Sequence, residues 1–556
     1  MASFLCNLFN KSRLSGISVL KNNLRLFHQS PYLVDIPNCS VAEYVGKGFT
    51  KYGQLTALID GKTGSKTTFA DLEGQINKTT AGFQSIGLTK SDVVCLFGTN
   101  ANEFVHTLCG VTSAGGILTI ANSQLTSVEL SHQLVETNTR YIVTTPDCAS
   151  RARGAATLCP NIRETIVIGE AEGCRPFHTL QTVRDLIKNV DVNPKEDIAL
   201  MPYSSGTTGL PKGVQLTHHN LVSQLSQLRH HTILPFIAGS DVSINPLPMV
   251  HIAGMMIGLL NPLAQGACVV ILPRFEPEPY LSAIETYMGT FSLIAPPLVN
   301  FFAKHPLVDK YDLSTLHTPY SGAATLSRSL TEQMVERLHI TSIRQGYGMS
   351  ETTGATHTDP RDGWKYGSIG KPVPNTQCKI VCLETGNPLG ADEVGEIMCK
   401  GPQVMKGYLN NMAATRETIT TDGWIKTGDI GYYDKDGHYF VVDRLKDIIK
   451  YKGYQISPTY LESILTSHPA VMESAIVGIP CDELGEVPRA YVVTRSHVTA
   501  QELIQHVNDQ VSPFKRLRGG VEFVREIPKL PSGKILRRKI RDDISKKTTI
   551  IKKMKM

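Results

Sequence analysis

The run Tyr203-Ser204-Ser205-Gly206-Thr207-Thr208-Gly209-Leu210-Pro211-Lys212-Gly213 packs four hydroxyls, three glycines and a lysine into eleven positions. Glycine tolerates close backbone approach to a ligand. The hydroxyls of Ser204, Ser205, Thr207 and Thr208 donate without bulk, and Lys212 adds a mobile positive charge. That chemistry suits a polyphosphate. It is not a Walker A loop, because GxxxxGK(S/T) is absent and Thr56 stands where Gly61-Lys62-Thr63 would need its first glycine.

The elements that must hold this loop read as α/β layers. An apolar stretch, Ile198–Met201, precedes it and a strand-like Val214–Thr217 follows it. Asp92–Phe97 and Arg140–Thr145 are short β-branched runs, and 71–86 has helical spacing, so strands alternate with helices. In the last third, Tyr432–Val442 reads as a hairpin turning at Asp436-Gly437. Ser457-Pro458 predicts a helix start, and Ala475–Ile479 a strand. Thr499 and Glu502 form a capping-box pattern ahead of Leu503, Ile504, Val507 and Val511. A small α+β domain is therefore expected from Arg444.

The composition is globular: of 556 residues, 41% are apolar and 19% charged. The formal charge of +6 sits at the ends. Residues 1–34 carry Lys11, Arg13, Lys21 and Arg25 without an acid, and 534–556 carry ten basic residues against Asp542 and Asp543. The remainder has 42 basic and 48 acidic residues, so no nucleic-acid surface is inferred. The basic, acid-free start fits a mitochondrial transit peptide over 1–38, hence the matrix, with cytosol as the alternative. The end, Met554-Lys555-Met556, is not a peroxisomal address, and 544–556 reads as a basic tail. The apolar window Ile252–Leu272 is interrupted at Asn261-Pro262 and Gln265, too broken for a transmembrane segment. Twelve cysteines without a CxxC read as scattered buried thiols; Cys378 and Cys382 are the nearest pair.

The loop resembles the phosphate loop of the adenylate-forming superfamily: acyl-CoA synthetases, coumarate-CoA ligases, beetle luciferases and peptide-synthetase adenylation domains. Further segments match in chain order: Gly322-Ala323-Ala324, Gln345–Glu351, Thr427-Gly428-Asp429, Asp443–Lys450 and Pro531-Ser532-Gly533-Lys534. The resemblance spans about Val41 to Asp542. It implies a large N-terminal AMP-binding domain of layered sheets and helices, 39–443, and a small mobile C-terminal α+β domain, 444–543.

The resemblance also implies roles. A carboxylate attacks the α-phosphate of ATP, giving acyl-adenylate and pyrophosphate, and a thiol such as coenzyme A then displaces AMP. Lys534 would bridge the carboxylate and α-phosphate, and Glu351 would ligate Mg²⁺, a hard cation that needs oxygen. Ser204, Ser205, Gly206, Thr207, Thr208, Gly209, Lys212 and Ser350 would line the phosphates. Gly322 and Ala323 would let the adenine lie flat with Tyr347 stacked on it, Gln345, Gly346 and Gly348 would belong to the second nucleotide-binding motif, and Asp429 would accept from the ribose hydroxyls with Arg444 nearby. Lys446 matches the hinge about which the small domain swings. The swing withdraws Lys534 and brings in Lys450 for the second step, with Lys452, Gly453 and Gln455 on the acceptor face. His251 would gate the carboxylate.

Ala253 and Gly254 replace the aromatic residues often found after that histidine, and Ala324-Thr325 replaces a common Ala-Pro. Small residues there suggest room for a medium- to long-chain fatty acid or a bulky aryl acid. An acyl-CoA synthetase is the expected activity. A luciferase-like monooxygenase sharing the first step, or a non-catalytic nucleotide- or acyl-binding protein, remain alternatives. The oligomeric state has no sequence signal.

Overall fold

The computed structural model describes residues 27–183, 187–204, 211–322, 326, 328–361, 363–451, 454–481, 484–529, 535–537 and 539–541. Residues 1–26 of the expected leader and the whole of 544–556 lie outside them.

Among the described residues the large N-terminal part holds three sheets. The first has eight strands, ordered Gly407–Tyr408, Lys212–Thr217, Ile198–Ser204, Ile117–Ala121, Val93–Phe97, Thr139–Thr144, Glu164–Val167 and Arg175–Pro176. From Ile198–Ser204 outward its pairings are parallel, whereas Lys212–Thr217 returns antiparallel. The central strand Val93–Phe97 is buried along its whole length, which is why it reads as a continuous apolar run. The second sheet has nine strands with a parallel centre, including Thr318–Ser321 beside Arg344–Met349, and antiparallel margins such as Gly354–Thr358. The third is antiparallel: His28–Gln29, Gln377–Val381, Gly395–Lys400, Ile425–Tyr433 and Tyr439–Arg444.

A small antiparallel sheet forms the C-terminal domain, with Ile449–Tyr451, Tyr454–Ile456, Val471–Cys481 and Gly485–Thr494, and Val521–Phe523 added in parallel. Its core of Ile456, Leu461, Leu465, Ile476, Val492, Leu503 and Val507 is separate from those of the large domain. The protein is therefore a mixed α/β chain of one large and one small domain.

Local signals act where expected. Ser457 caps helix Pro458–Ser467 by accepting from the Tyr460 amide. Thr499 and Glu502 complete their capping box on helix Ala500–Asn508. The hairpin turns at Gly437, whose φ of 78° suits glycine. The apolar stretch after His251 becomes a wide π-type turn, Gly254–Leu260, followed by the short helix Asn261–Ala264. No described helix is long and apolar enough to cross a membrane.

The expected leader, 1–38, overlaps residues that pair with the folded domain. His28 and Gln29 pair with Cys378 and Gln377, and the Ser30 amide donates to the Thr376 carbonyl. Backbone from Phe27 onward thus belongs to the folded domain, and a leader running to 38 would remove a strand.

Candidate active site

Ser204 closes one strand and Lys212 opens the next, directly opposite it, so the phosphate loop is the connection between two paired strands. This places the second strand two residues earlier than its apolar pattern suggests. Ser205, Gly206, Thr207, Thr208 and Gly209 lie outside the described residues, as do Ala323, Ala324, Lys452, Gly453 and Lys534.

Beside the loop, Glu351 lies on a short turn after strand Arg344–Met349 and is only 3% exposed. Its Oε1 accepts from the Ser204 hydroxyl at 2.7 Å and from the Tyr408 hydroxyl at 2.9 Å. Burial and the adjacent Glu351 charge push the Tyr408 phenol well above its ordinary value, so it stays a donor. The Lys212 ammonium lies 5.1 Å from the Tyr408 ring centroid. A buried carboxylate, two fixed hydroxyls and a cation thus meet at the loop's base. Both hydroxyls engage the same carboxylate oxygen, Oε1.

Four residues earlier on the same segment, the Tyr347 hydroxyl donates to Asp429 Oδ2 at 2.7 Å. Asp429 is 5% exposed and pairs across strands with Arg444, whose Nε lies 3.1 Å from Oδ1. Burial and Asp429 raise the Tyr347 phenol well above its usual value. The hydroxyl of Tyr347 is thereby tied to Asp429, the residue expected at the ribose.

The residues expected at the adenine are packed by backbone proximity. Ser321 and Gln345 are register partners, and a Cβ on Gly322 would approach the Gly346 carbonyl at 3.3 Å. A Cβ on Gly346 would fall on the Tyr320 hydroxyl, so only glycine fits there. The Gln345 amide donates to Asp359 Oδ2 at 2.9 Å. Asp359 is fully buried with Oδ1 unpartnered, and burial lifts its carboxyl to about 7. Ser350 is half-buried on the Glu351 turn.

The remaining expected residues stand elsewhere. His251 is exposed on a turn, and its Nδ1 accepts from the Ala253 amide at 3.3 Å, placing the neutral ring's proton on Nε2. Gly254 is buried, and a Cβ there would run into the Pro248 carbonyl. Its small size has a packing cause and gives no measure of pocket width. Lys450 is exposed on the small sheet opposite Gln455, its amide donating to Glu486 at 2.8 Å. Lys446 sits in a tight turn where the amides of Asp447 and Ile448 both donate to the Arg444 carbonyl. That turn joins the strand bearing Arg444 to the small domain, and hinges commonly lie at such element ends.

Sequence reasoning missed three groups. Tyr408 lies on a two-residue strand paired with Val214, which carries no motif. Asp359 depends on tertiary burial. Arg537 donates to both oxygens of Glu462, at 2.6 and 2.8 Å, and Arg541 to Asp447 at 2.9 Å, tying the segment after Lys534 to the hinge turn.

One segment thus links the serine that closes the strand before the glycine-rich loop, through Glu351, to the buried Asp429, through Tyr347. Residues 47–409 match the family described as AMP-binding enzyme, and 460–534 match the AMP-binding enzyme C-terminal domain. The chain belongs to this adenylate-forming family. It is 38% identical over 527 residues to a probable 4-coumarate–CoA ligase 1 of Dictyostelium discoideum, covering 91% of this chain and 96% of the relative. It is 37% identical to 4-coumarate-CoA ligase 1 of Narcissus pseudonarcissus, over 90% of this chain and 92% of that one. Its fold is similar to the anthranilate CoA ligase AuaEII in complex with anthranoyl-AMP, with a TM-score of 0.83, 26% identity and coverage of 93% and 99%. It is also similar to ATP-bound MatB from Rhodopseudomonas palustris, with a TM-score of 0.82, 25% identity and coverage of 90% and 98%.

Proposed function

We propose that this protein is an ATP-dependent ligase that activates an aryl carboxylic acid as its adenylate and passes the acyl group to coenzyme A. The observation that carries it is the segment Gln345–Glu351. Its end bonds the phosphate-loop serine through Glu351, and its middle bonds the ribose-side Asp429 through Tyr347. Such a segment sets the distance between triphosphate and sugar, the alignment an in-line displacement needs.

Glu351 is the residue proposed to hold Mg²⁺. Bound there, the cation would neutralise charge on the departing phosphates. Lys534 is proposed to steer the carboxylate to the α-phosphate, and Lys450 to serve thioester formation after the small domain turns about Lys446. His251 faces solvent from its turn and is proposed to meet the incoming carboxylate.

The aryl preference rests on the relatives, among them 4-coumarate-CoA ligases and an anthranilate CoA ligase. The small residues Ala253, Gly254 and Ala324 suggested room for a fatty acid and for a bulky aryl acid alike, and the packing role of Gly254 weakens that inference for both. Thioester formation from a hydroxycinnamate, an anthranilate, a benzoate, a medium-chain fatty acid and acetate tests the choice. A kcat/KM for one of the aryl acids at least tenfold above both aliphatic acids supports it; preference for the fatty acid overturns it.

We further propose mitochondrial import by a leader that ends before the His28 strand. The first 26 residues fused to a fluorescent protein should enter mitochondria, and diffuse cytosolic signal would contradict this.

A further inference from the structure

Behind the nucleotide cleft lies a group of soft donors that the proposed reaction does not use. Cys378 and Cys399 are direct partners on adjacent antiparallel strands, with sulfurs 3.4 Å apart. His357, from the neighbouring sheet, brings an imidazole nitrogen to the same place, and the three donor atoms lie within 4.8 Å of one another. All three residues are fully buried. His357 Nδ1 is 3.0 Å from the Thr356 hydroxyl, but its Nε2 has no partner. The Tyr439 hydroxyl, also buried in this core, has none either, and its ring centroid is 4.5 Å from that of His357.

Buried polar atoms without partners are costly. We propose that Cys378, Cys399 and His357 bind one zinc ion. Thiolate and imidazole donors select zinc or cuprous copper over magnesium or calcium. Charge decides between the two. Zn²⁺ displaces one proton from each thiol, releasing two, and leaves a neutral cluster in an apolar core. Cu⁺ with two thiolates would leave a buried negative charge, which is expensive. The geometry is close: tetrahedral zinc with bonds of about 2.3 Å to sulfur sets the sulfurs roughly 3.8 Å apart, a few tenths beyond their present spacing.

The ion would join two sheets. His357 lies opposite Tyr347 in register, and Tyr347 holds Asp429, so the bound metal would brace the floor under the ribose-side carboxylate.

Full-length reduced protein, washed with chelator, would be titrated with Co²⁺ as a spectroscopic probe and then with Zn²⁺. One equivalent of Co²⁺ should give thiolate charge-transfer absorption and tetrahedral d–d bands, both abolished by Zn²⁺. Because two protons leave, affinity should fall about a hundredfold per pH unit below neutrality. Cys399→Ser should lose at least half of the charge-transfer band, while Cys268→Ser, a buried cysteine elsewhere, should keep all of it. In the unmutated protein, Zn²⁺ should slow alkylation of Cys378 and Cys399 at least tenfold, read by peptide mass, which does not depend on any variant folding. No saturable Co²⁺ uptake, a band unchanged in Cys399→Ser, or alkylation indifferent to Zn²⁺ would overturn the proposal.

Discussion

Tyr347 and Arg444 hold the two oxygens of Asp429 separately, the hydroxyl at 2.7 Å from Oδ2 and the guanidinium Nε at 3.1 Å from Oδ1. The carboxylate is thus fixed in orientation, which would lower the ordering cost of the proposed nucleotide binding. Hydrogen bonds to a charged group are worth about 1.5–3 kcal/mol. Asp429→Ala should therefore raise the KM for ATP about ten- to a hundredfold and leave that for the acid unchanged. Tyr347→Phe should raise it less. An unchanged KM for ATP in Asp429→Ala, measured by initial rates, would remove Asp429 from the nucleotide site.

Tyr408 and Ser204 both donate to Glu351 Oε1. Tyr408→Phe keeps the ring beside Lys212 and deletes one donor, so the carboxylate loses orientation without losing charge. The Mg²⁺ concentration for half-maximal adenylation should rise about three- to tenfold, within the value of about 1 kcal/mol for one hydrogen bond. Titration of Mg²⁺ at saturating ATP reads this directly, and coincident curves for the two proteins would contradict it.

Asp359 carries a pH signature. Its carboxyl is raised from 3.8 unfolded to about 7 folded, chiefly by burial. The folded state binds this proton more tightly, so its contribution to stability is full below about pH 4. It is lost as pH rises through 7 and stays lost above. Asp359→Asn should flatten that descent between pH 4 and 7 in urea titrations, relative to the unmutated protein. Parallel profiles for the two proteins would contradict the assignment.

The small domain's C-terminal segment depends on a buried ion pair. Arg537 and Glu462 are both largely buried, and Asp447 lies 3.9 Å from the same guanidinium. Removing one partner of such a pair costs about 3–5 kcal/mol, because the other charge is stranded. Arg537→Ala should lower the melting temperature of the small domain by several degrees, and Glu462→Leu with Arg537→Met should recover most of it. An Arg537→Ala protein melting like its parent would contradict this.

The sequence carried those features that are local. The Ser457 and Thr499 caps, the Gly437 turn and the strands around the phosphate loop follow from neighbours in the chain. What it concealed is long-range. Cys378 looked nearest to Cys382, but strand pairing sets it against Cys399, 21 positions away. Tyr408 sits on a strand too short to carry periodicity. The two-residue strand at His28 was invisible beside the basic composition that precedes it. Gly254 looked like an open pocket, but its missing side chain admits the Pro248 carbonyl.

The central claim is acid activation through an adenylate with coenzyme A as acceptor. Its most direct test is pyrophosphate release with ATP, Mg²⁺ and a hydroxycinnamate, with and without coenzyme A, in the parent, Lys534→Ala and Lys450→Ala proteins. The account predicts release that requires the acid and is accelerated by coenzyme A. Lys534→Ala should lower adenylation at least a hundredfold, and Lys450→Ala should spare adenylation but slow thioester formation. Acid-dependent release indifferent to coenzyme A, or no release with any carboxylic acid, would contradict it.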